Sequence, residues 1–237
     1  ARVGPPGHRR LRQGPRPGHR GCGIGRYMVF DAESFARTRP YLYHLTASAN
    51  LPTVRARGKL CSAMQLCEEA GERSALSGKR TRCVELRLRS GERAVLRDQA
   101  PLHAGNICLE GGWTFEDVLL DLNSRVFFWP GKECWLTRYA RAHFDRYEGT
   151  DTVVLRMPTA AILANAEPEF SRVNSGAPRT SGGRKSPRGP ATFQARPNWP
   201  PSGTVEVTFR GEIDLPATVD LWRRPHGRGL PERWECL

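Results

Sequence analysis

Three polar side chains lie in segments that the sequence predicts to be strands, and each is of a type that takes part in ligand chemistry. His44 lies in the apolar segment 41–45, Arg125 begins an aromatic segment, and Glu206 lies within 204–209. An imidazole donates and accepts hydrogen bonds, a guanidinium binds anions, and a carboxylate stabilises developing positive charge. Each also has a structural interpretation: a packed core histidine, an arginine in a surface salt bridge and a solvated glutamate. The residue types alone leave both interpretations open.

The segments that carry these residues alternate with short helices between residues 28 and 224. Period-two alternation predicts strands, whereas capped stretches closed by glycine or asparagine predict helices. The sequence contains a predicted hairpin and lacks the glycine-rich loops of nucleotide-binding α/β folds, so we expect a single α+β domain. The predicted strands are 41–45, 84–89, 94–97, 125–129, 152–157 and 204–209, the predicted helices are 51–57, 62–71, 114–123, 132–147 and 159–166, and 215–224 is predicted as a short helix or strand.

The positive charge of the chain is concentrated in two places. The formal net charge is +13 at pH 7, and residues 1–27 contribute seven arginines and no acid. Residues 171–203 contribute six more cations and no acid, so the remainder is balanced. Residues 1–27 are expected to be a disordered basic tail, either an arm for an anionic polymer or a segment outside the native protein if Met28 is the start. A long basic loop is expected at 167–203, and a loose tail at 225–237.

Composition argues against several classes of protein. No apolar run approaches the roughly 18 residues that span a bilayer, and the arginine-rich start lacks the apolar stretch of a signal peptide. The seven cysteines are irregularly spaced, without a C-x-x-C pair or zinc-finger spacing, so we expect reduced thiols and no metal site. These features favour a cytoplasmic protein without a membrane partner.

The order of the motifs resembles that of the ADP-ribosyltransferase fold. The sequence Tyr-His-Leu-Thr at 43–46, followed by Asn-Leu-Pro at 50–52, is similar to the start of DarT-type DNA ADP-ribosyltransferases and of an uncharacterised relative family. The relative family is similar also at 96–99, at 122–129 and in the loop 174–193. The resemblance covers most of the expected domain and implies a split mixed or antiparallel sheet that binds NAD as a co-substrate.

The resemblance also implies a reaction and the residues that perform it. Cleavage of the nicotinamide–ribose bond of NAD passes through an oxocarbenium-like state, as glycoside hydrolysis does. Glu206 would be the catalytic carboxylate beside the ribose, with Glu212 as its rival, and His44 would hold a ribose hydroxyl. The remaining cofactor contacts would be Thr46 at a hydroxyl, Arg125 at the pyrophosphate, and Phe127 and Phe128 stacked on nicotinamide.

The basic loop supplies the expected substrate contacts, which are Arg172, Asn174, Arg179 and Arg188. Backbone N–H groups freed by glycine and serine, together with arginines, suit the phosphates of NAD or of a nucleic acid, although a solvated loop has the same composition. The acceptor of ADP-ribose would be DNA or RNA, or else a protein. Such an enzyme would serve as a toxin or defence effector, with an antitoxin as a partner.

Two other functions fit parts of the same pattern. An RNA 2′-phosphotransferase-like enzyme also uses NAD and a histidine-bearing first strand, and Arg172, Arg179 and Arg188 would then bind the 2′-phosphate. A catalytically inactive module that binds NAD or nucleic acid would follow if Glu206 faced bulk solvent.

Overall fold

The computed structural model describes residue 1 and the ranges 30–76, 78–133, 135–223 and 229–237. The expectations of a disordered tail at 1–27 and of a start at Met28 therefore lie outside the described residues, apart from Ala1. The same holds for residues 225–228 of the expected C-terminal tail.

The described residues include six short α-helices, most of them close to the predicted positions. Thr114 and Asp117 form a reciprocal capping box at the start of the fourth, and Gly58 ends the second with a left-handed φ of 62°. These local signals explain why the predicted boundaries hold there. The helices are α1 (Ala32–Thr38), α2 (Leu51–Arg57), α3 (Ala63–Ala70), α4 (Phe115–Asn123), α5 (Arg138–Arg146) and α6 (Thr159–Leu163).

A seven-stranded sheet forms the centre of the domain, in the order β13-β12-β7-β1-β6-β10-β8. Every neighbouring pair in it is antiparallel. The predicted α+β class is confirmed: one domain with a large antiparallel sheet and several short helices. The strands are β1 (Tyr41–Ala47), β2 (Lys59–Cys61), β3 (Val84–Arg87), β4 (Arg93–Leu96), β5 (Ile107–Leu109), β6 (Arg125–Gly131), β7 (Thr152–Pro158), β8 (Glu169–Ser171), β9 (Ser186–Arg188), β10 (Glu206–Arg210), β11 (Glu212–Asp214), β12 (Asp220–Arg223) and β13 (Glu235–Cys236).

Hydrophobic clusters cover both faces of the sheet. On one face Leu42 and Phe128 pack with α1, α2 and α6, and on the other Leu45 and Trp129 pack with α5. Two smaller clusters join α3 to the β3–β4 hairpin and α4 to the loop that contains Phe193. The hairpin and α4 are thereby fixed beside the end of the sheet where β1 and β6 part.

The sheet splits between β1 and β6. Strand β1 pairs with β7 along its whole length, but its register with β6 covers only Tyr41 to Tyr43. On its other side β6 pairs with β10 from Arg125 to Phe128. Beyond Tyr43 the two central strands therefore diverge, and the opening between them leaves edges of β1 and β6 that a continuous sheet would pair.

Three predicted boundaries were wrong for physical reasons. The aromatic strand continues through Pro130, which is tolerated because β10 no longer pairs with β6 at that point. The fifth helix starts six residues later than predicted, at Arg138, because Thr137 caps it and Lys132 instead bridges to Trp135. The C-terminal residues are not a loose tail where they are described, since β13 pairs with β12.

The basic loop at 167–203 is also more ordered than its composition predicts. It contributes β8 to the edge of the main sheet and β9 to a parallel pair with β5. Composition could not indicate this, because both strands are only three residues long and depend on distant partners.

Candidate functional site

A cavity of about 220 Å³ opens at the split between β1 and β6. Strands β1, β6 and β10, the end of α4, the segment after β4 and the loop after β8 contribute to its wall. The residues predicted from the sequence that border it are His44, Thr46, Arg125, Phe127, Asn174 and Glu206. Tertiary structure therefore brings together groups that are more than 150 residues apart, as the order of motifs required.

His44 is held as a neutral imidazole at the split. Its Nδ1 lies 2.9 Å from the carbonyl oxygen of Phe127, a contact that takes the place of a ladder hydrogen bond once β1 has left β6. Burial, with a smaller contribution from the nearby Arg97 charge, lowers the pKa of His44 to about 4, against the opposing effect of the hydrogen bond to Phe127. Because a carbonyl only accepts, Nδ1 carries the proton and Nε2 is an acceptor with no partner among the described residues.

Glu206 is the buried carboxyl group of the cavity. It is 2% exposed and begins β10, and its Oε2 accepts a 3.1 Å hydrogen bond from the backbone N–H of Ser175. Burial raises the pKa of Glu206 to about 7, against the opposing effects of hydrogen bonding to Ser175 and the charge of Arg188. The side chain does not face bulk solvent, which was the condition for the inactive module.

Glu212, the rival carboxylate, lies elsewhere. It begins β11, its side chain is 44% exposed, and it pairs with Lys59 at 2.6 Å. It borders a separate surface depression and not the cavity that contains Glu206. The two glutamates are therefore a matched pair, one buried at the site and one outside it.

Thr46 and Phe127 form parts of the wall. The hydroxyl oxygen of Thr46 accepts a 2.9 Å hydrogen bond from Asn50, whose amide also binds both backbone groups of Val95. This amide joins the first strand to the β3–β4 hairpin, an arrangement that the spacing of the motif did not reveal. Phe127 is half-buried, and its ring packs edge-on at 6.0 Å from Phe193.

Phe128 and Arg125 do not have the predicted roles. Phe128 is fully buried in the core and does not border the cavity, so it cannot stack on a ligand there. The Arg125 side chain is 2% exposed and forms ion pairs with Asp121 at 2.9 Å and with Glu169. Its face lies 3.9 Å over the Phe193 ring. The edge of the Arg125 guanidinium is occupied by the two carboxylates and its face by the Phe193 ring. The predicted role of Arg125 in binding a pyrophosphate is therefore wrong.

The arginines of the basic loop do not converge. Arg188 is 1% exposed and donates to the backbone oxygens of Asn174 and Ser175, so it fixes the segment that contacts the buried glutamate. Arg172 is exposed and lies over the Trp199 ring at 5.6 Å. Arg179 is exposed and borders a second cavity. The cluster that a 2′-phosphate would require is therefore not formed.

The second cavity, of about 460 Å³, adjoins the first along α5 and the loop after β8. It is cationic, because Arg138, Arg146 and Arg179 border it and no acidic side chain of the described residues does. Tyr139 adds an aromatic ring to its wall. The residues that border both cavities are His143, Arg146, Asn174 and Ala177.

Several residues of the first cavity had no role predicted from the sequence. Arg97 is half-buried and donates a 2.8 Å hydrogen bond to Nε2 of His143, whose ring lies 4.4 Å from Trp129. Burial lowers the pKa of His143 well below its usual value, and Arg97 lowers it further, so it accepts this bond as a neutral ring. The indole nitrogen of Trp129 is buried with no partner in the described part of the chain. The segment 96–99, which contains Arg97, contributed to the resemblance to the uncharacterised relative family, but no function was assigned to it.

The protein is thus an antiparallel α+β domain with a buried glutamate and a neutral histidine at one cavity. The chain belongs to the DUF7002 family, a family of unknown function whose model matches residues 40–213. No curated protein and no solved structure matches the chain. In the ranges that the structure describes, no helix is both long and apolar enough to cross a membrane, and no group of three or more potential metal ligands occurs.

Proposed function

We propose that the protein is an NAD-dependent ADP-ribosyltransferase that transfers ADP-ribose to a nucleic acid. The observation that carries the proposal is the shared cavity of His44 and Glu206, which lie on strands on either side of the split. One is a neutral hydrogen-bonding group and the other is a buried carboxyl group, as glycosidic bond cleavage in NAD requires.

Glu206 stabilises the transition state and His44 orients the ribose. As the bond from nicotinamide to C1′ breaks, its electron pair leaves with the ring nitrogen, and positive charge develops on the ribose. The carboxylate of Glu206 offsets that charge in a site shielded from water, where an electrostatic interaction is strong. Nε2 of His44 accepts a hydrogen bond from a ribose hydroxyl. An acceptor nucleophile then attacks C1′ and releases a proton, which a carboxylate with a pKa of about 7 can take up.

The second cavity supports a nucleic acid as the acceptor. Its three arginines suit backbone phosphates, and Tyr139 offers a ring on which an unpaired base stacks. The cavity adjoins the first through His143 and Asn174, so an acceptor bound there lies beside the proposed ribose site. Modification of DNA or RNA would make the protein a cytoplasmic toxin or defence effector, and an antitoxin would then be its partner.

Transfer of label tests the proposal. The protein is incubated with NAD labelled in the adenylate phosphate and with single-stranded DNA, RNA or protein. We expect label on a nucleic acid, and a loss of about 100-fold or more in Glu206→Gln and a clear loss in His44→Ala. Glu212→Gln is the matched control and should retain the full rate, because that glutamate lies outside the cavity.

The same experiment separates the alternatives. Label on protein alone would replace the nucleic-acid acceptor and keep the transferase. Equal labelling by Glu206→Gln and by the unaltered protein would exclude the assignment of the carboxylate. The absence of label on every acceptor, with NAD still bound, would favour an inactive module.

A further inference from the structure

Two guanidinium groups at the cavity wall have no carboxylate partner. Arg80 and Arg97 are half-buried, and neither forms an ion pair with an acid of the described residues. The Arg80 side chain lies against the backbone of Arg97, since its Nε donates at 3.1 Å to the carbonyl oxygen of that residue, and both side chains border the cavity. Burial lowers the pKa of both side chains, and the carboxylate of Asp98, which borders the same cavity without forming an ion pair with either, opposes this effect in each. Buried charges of one sign are costly unless an opposite charge joins them.

Asn123 adds an oriented hydrogen-bond donor at the same wall. Its Oδ1 accepts from Nη1 of Arg80 at 2.9 Å and from Nε2 of Gln99 at 3.2 Å. Because both partners only donate through these atoms, the amide orientation is fixed and Nδ2 is the remaining donor. The residue is 1% exposed and borders the cavity, and Nδ2 has no partner in the described part of the chain. Buried donors without a partner are rare in native proteins.

We propose that Arg80, Arg97 and Asn123 form a subsite for a phosphate group. Two cations and a neutral donor offer N–H groups to phosphate oxygens, and guanidinium groups bind phosphate through paired hydrogen bonds. Asp98 is the acidic side chain nearest in sequence, but it accepts a hydrogen bond from the backbone N–H of Ala100 and forms no ion pair with these cations among the described residues. If the proposed transferase function holds, on which this assignment of the ligand rests, the subsite binds the pyrophosphate of NAD. Arg125 cannot do so, since Asp121 and Glu169 already engage it.

Nucleotide binding by the full chain tests the subsite without any turnover. The probes are adenosine 5′-diphosphate, inorganic pyrophosphate and adenosine, and isothermal titration calorimetry gives each affinity. We expect the diphosphate to bind about tenfold or more tightly than adenosine, because charge-assisted hydrogen bonds are the strong ones. Equal affinities for the diphosphate and adenosine would overturn the proposal.

Two variants alter the subsite in different ways. Arg97→Gln removes a charge, whereas Asn123→Asp keeps the oxygen that Arg80 and Gln99 bind and replaces the donor by an anionic acceptor. Each should weaken diphosphate binding by about tenfold and leave adenosine binding unchanged. Arg87→Gln, which removes a charge from an exposed position of β3, is the matched control and should bind as the unaltered chain does.

The outcomes distinguish the subsite from the transferase. A thermal melt shows whether each variant is folded, and Asn123→Asp remains as the test if Arg97→Gln is not. Diphosphate binding that depends on these residues, without label transfer from NAD, would sustain the subsite and refute the transferase. Label transfer, with diphosphate affinity unchanged in both variants, would refute the subsite and leave the transferase standing.

Discussion

Two groups of arginines in this domain have opposite electrostatic environments. On the β6 side of the cavity, Arg125 pairs with acids from α4 and β8, and Arg210 joins the same acids from the surface. At the cavity wall, Arg80 and Arg97 bind carbonyl, amide and imidazole groups but no carboxylate of the described residues. The first group is internally neutralised, whereas the second retains its charge.

The difference between the two groups shows where the fold leaves polar side chains available to bind a ligand. Native interiors satisfy nearly all buried polar groups, and the exceptions occur preferentially at functional sites. Among the described residues, the first cavity has several exceptions: two guanidiniums without an ion pair, the free amide donor of Asn123, the indole nitrogen of Trp129 and the weakly paired carboxyl of Glu206. Completeness of pairing therefore separates structural from functional charge better than residue type does.

The largest effect on stability is expected when the ion-paired arginine, Arg125, is replaced. Arg125→Gln leaves Asp121 and Glu169 without their buried cation, and removal of one partner from a buried ion pair costs about 3–5 kcal/mol. We expect the free energy of unfolding, measured by urea denaturation at pH 7, to fall by about 3 kcal/mol or more. A fall below about 1 kcal/mol would show that the cluster is not a structural unit.

The second effect is a pH dependence at Glu206, which has one backbone hydrogen bond and no ion pair in the described residues. Its pKa is raised from 4.5 to about 7, so the folded state binds the proton more tightly than the unfolded state does. The contribution of protonated Glu206 to the free energy of unfolding is fully present below pH 4.5. It is lost as the pH rises through 7, and the loss amounts to about 3 kcal/mol.

Glu206→Gln cannot titrate and should remove this loss. The variant should match the unaltered protein near pH 4.5 and exceed its free energy of unfolding by about 3 kcal/mol at pH 8. Denaturant titrations at both pH values measure the difference. Parallel pH profiles of the two proteins would show that burial does not raise this pKa.

The smallest effect on stability is expected when Arg97, which forms no ion pair with the described residues, is replaced. Arg97→Gln removes a desolvated charge that forms no ion pair with the described residues, and the new amide can still donate to His143. The free energy of unfolding should change by less than about 1 kcal/mol, in contrast to Arg125→Gln. If the two substitutions destabilise the protein equally, completeness of pairing does not distinguish the two groups.

The positions of most elements could be predicted from local sequence. The capping residues of α4, the glycine after α2 and the alternation in β3 act within a few residues of where they stand. The order of His44, the aromatic strand and Glu206 also indicated one site, and the structure places them at one cavity. Local sequence did not predict the short strands β8, β9 and β13, because their formation depends on partners far along the chain.

The residue types available for chemistry and the α+β class could be read from the sequence, because periodicity and capping are local properties. Which arginine forms an ion pair depends on the tertiary structure. Arg125 and Arg97 carry the same side chain, but the fold brings Glu169, 44 positions away, into an ion pair with one of them, whereas Asp98 acts on the other without forming an ion pair. A guanidinium becomes structural or available through the charges around it, and those charges come from segments that meet only when the sheet has formed.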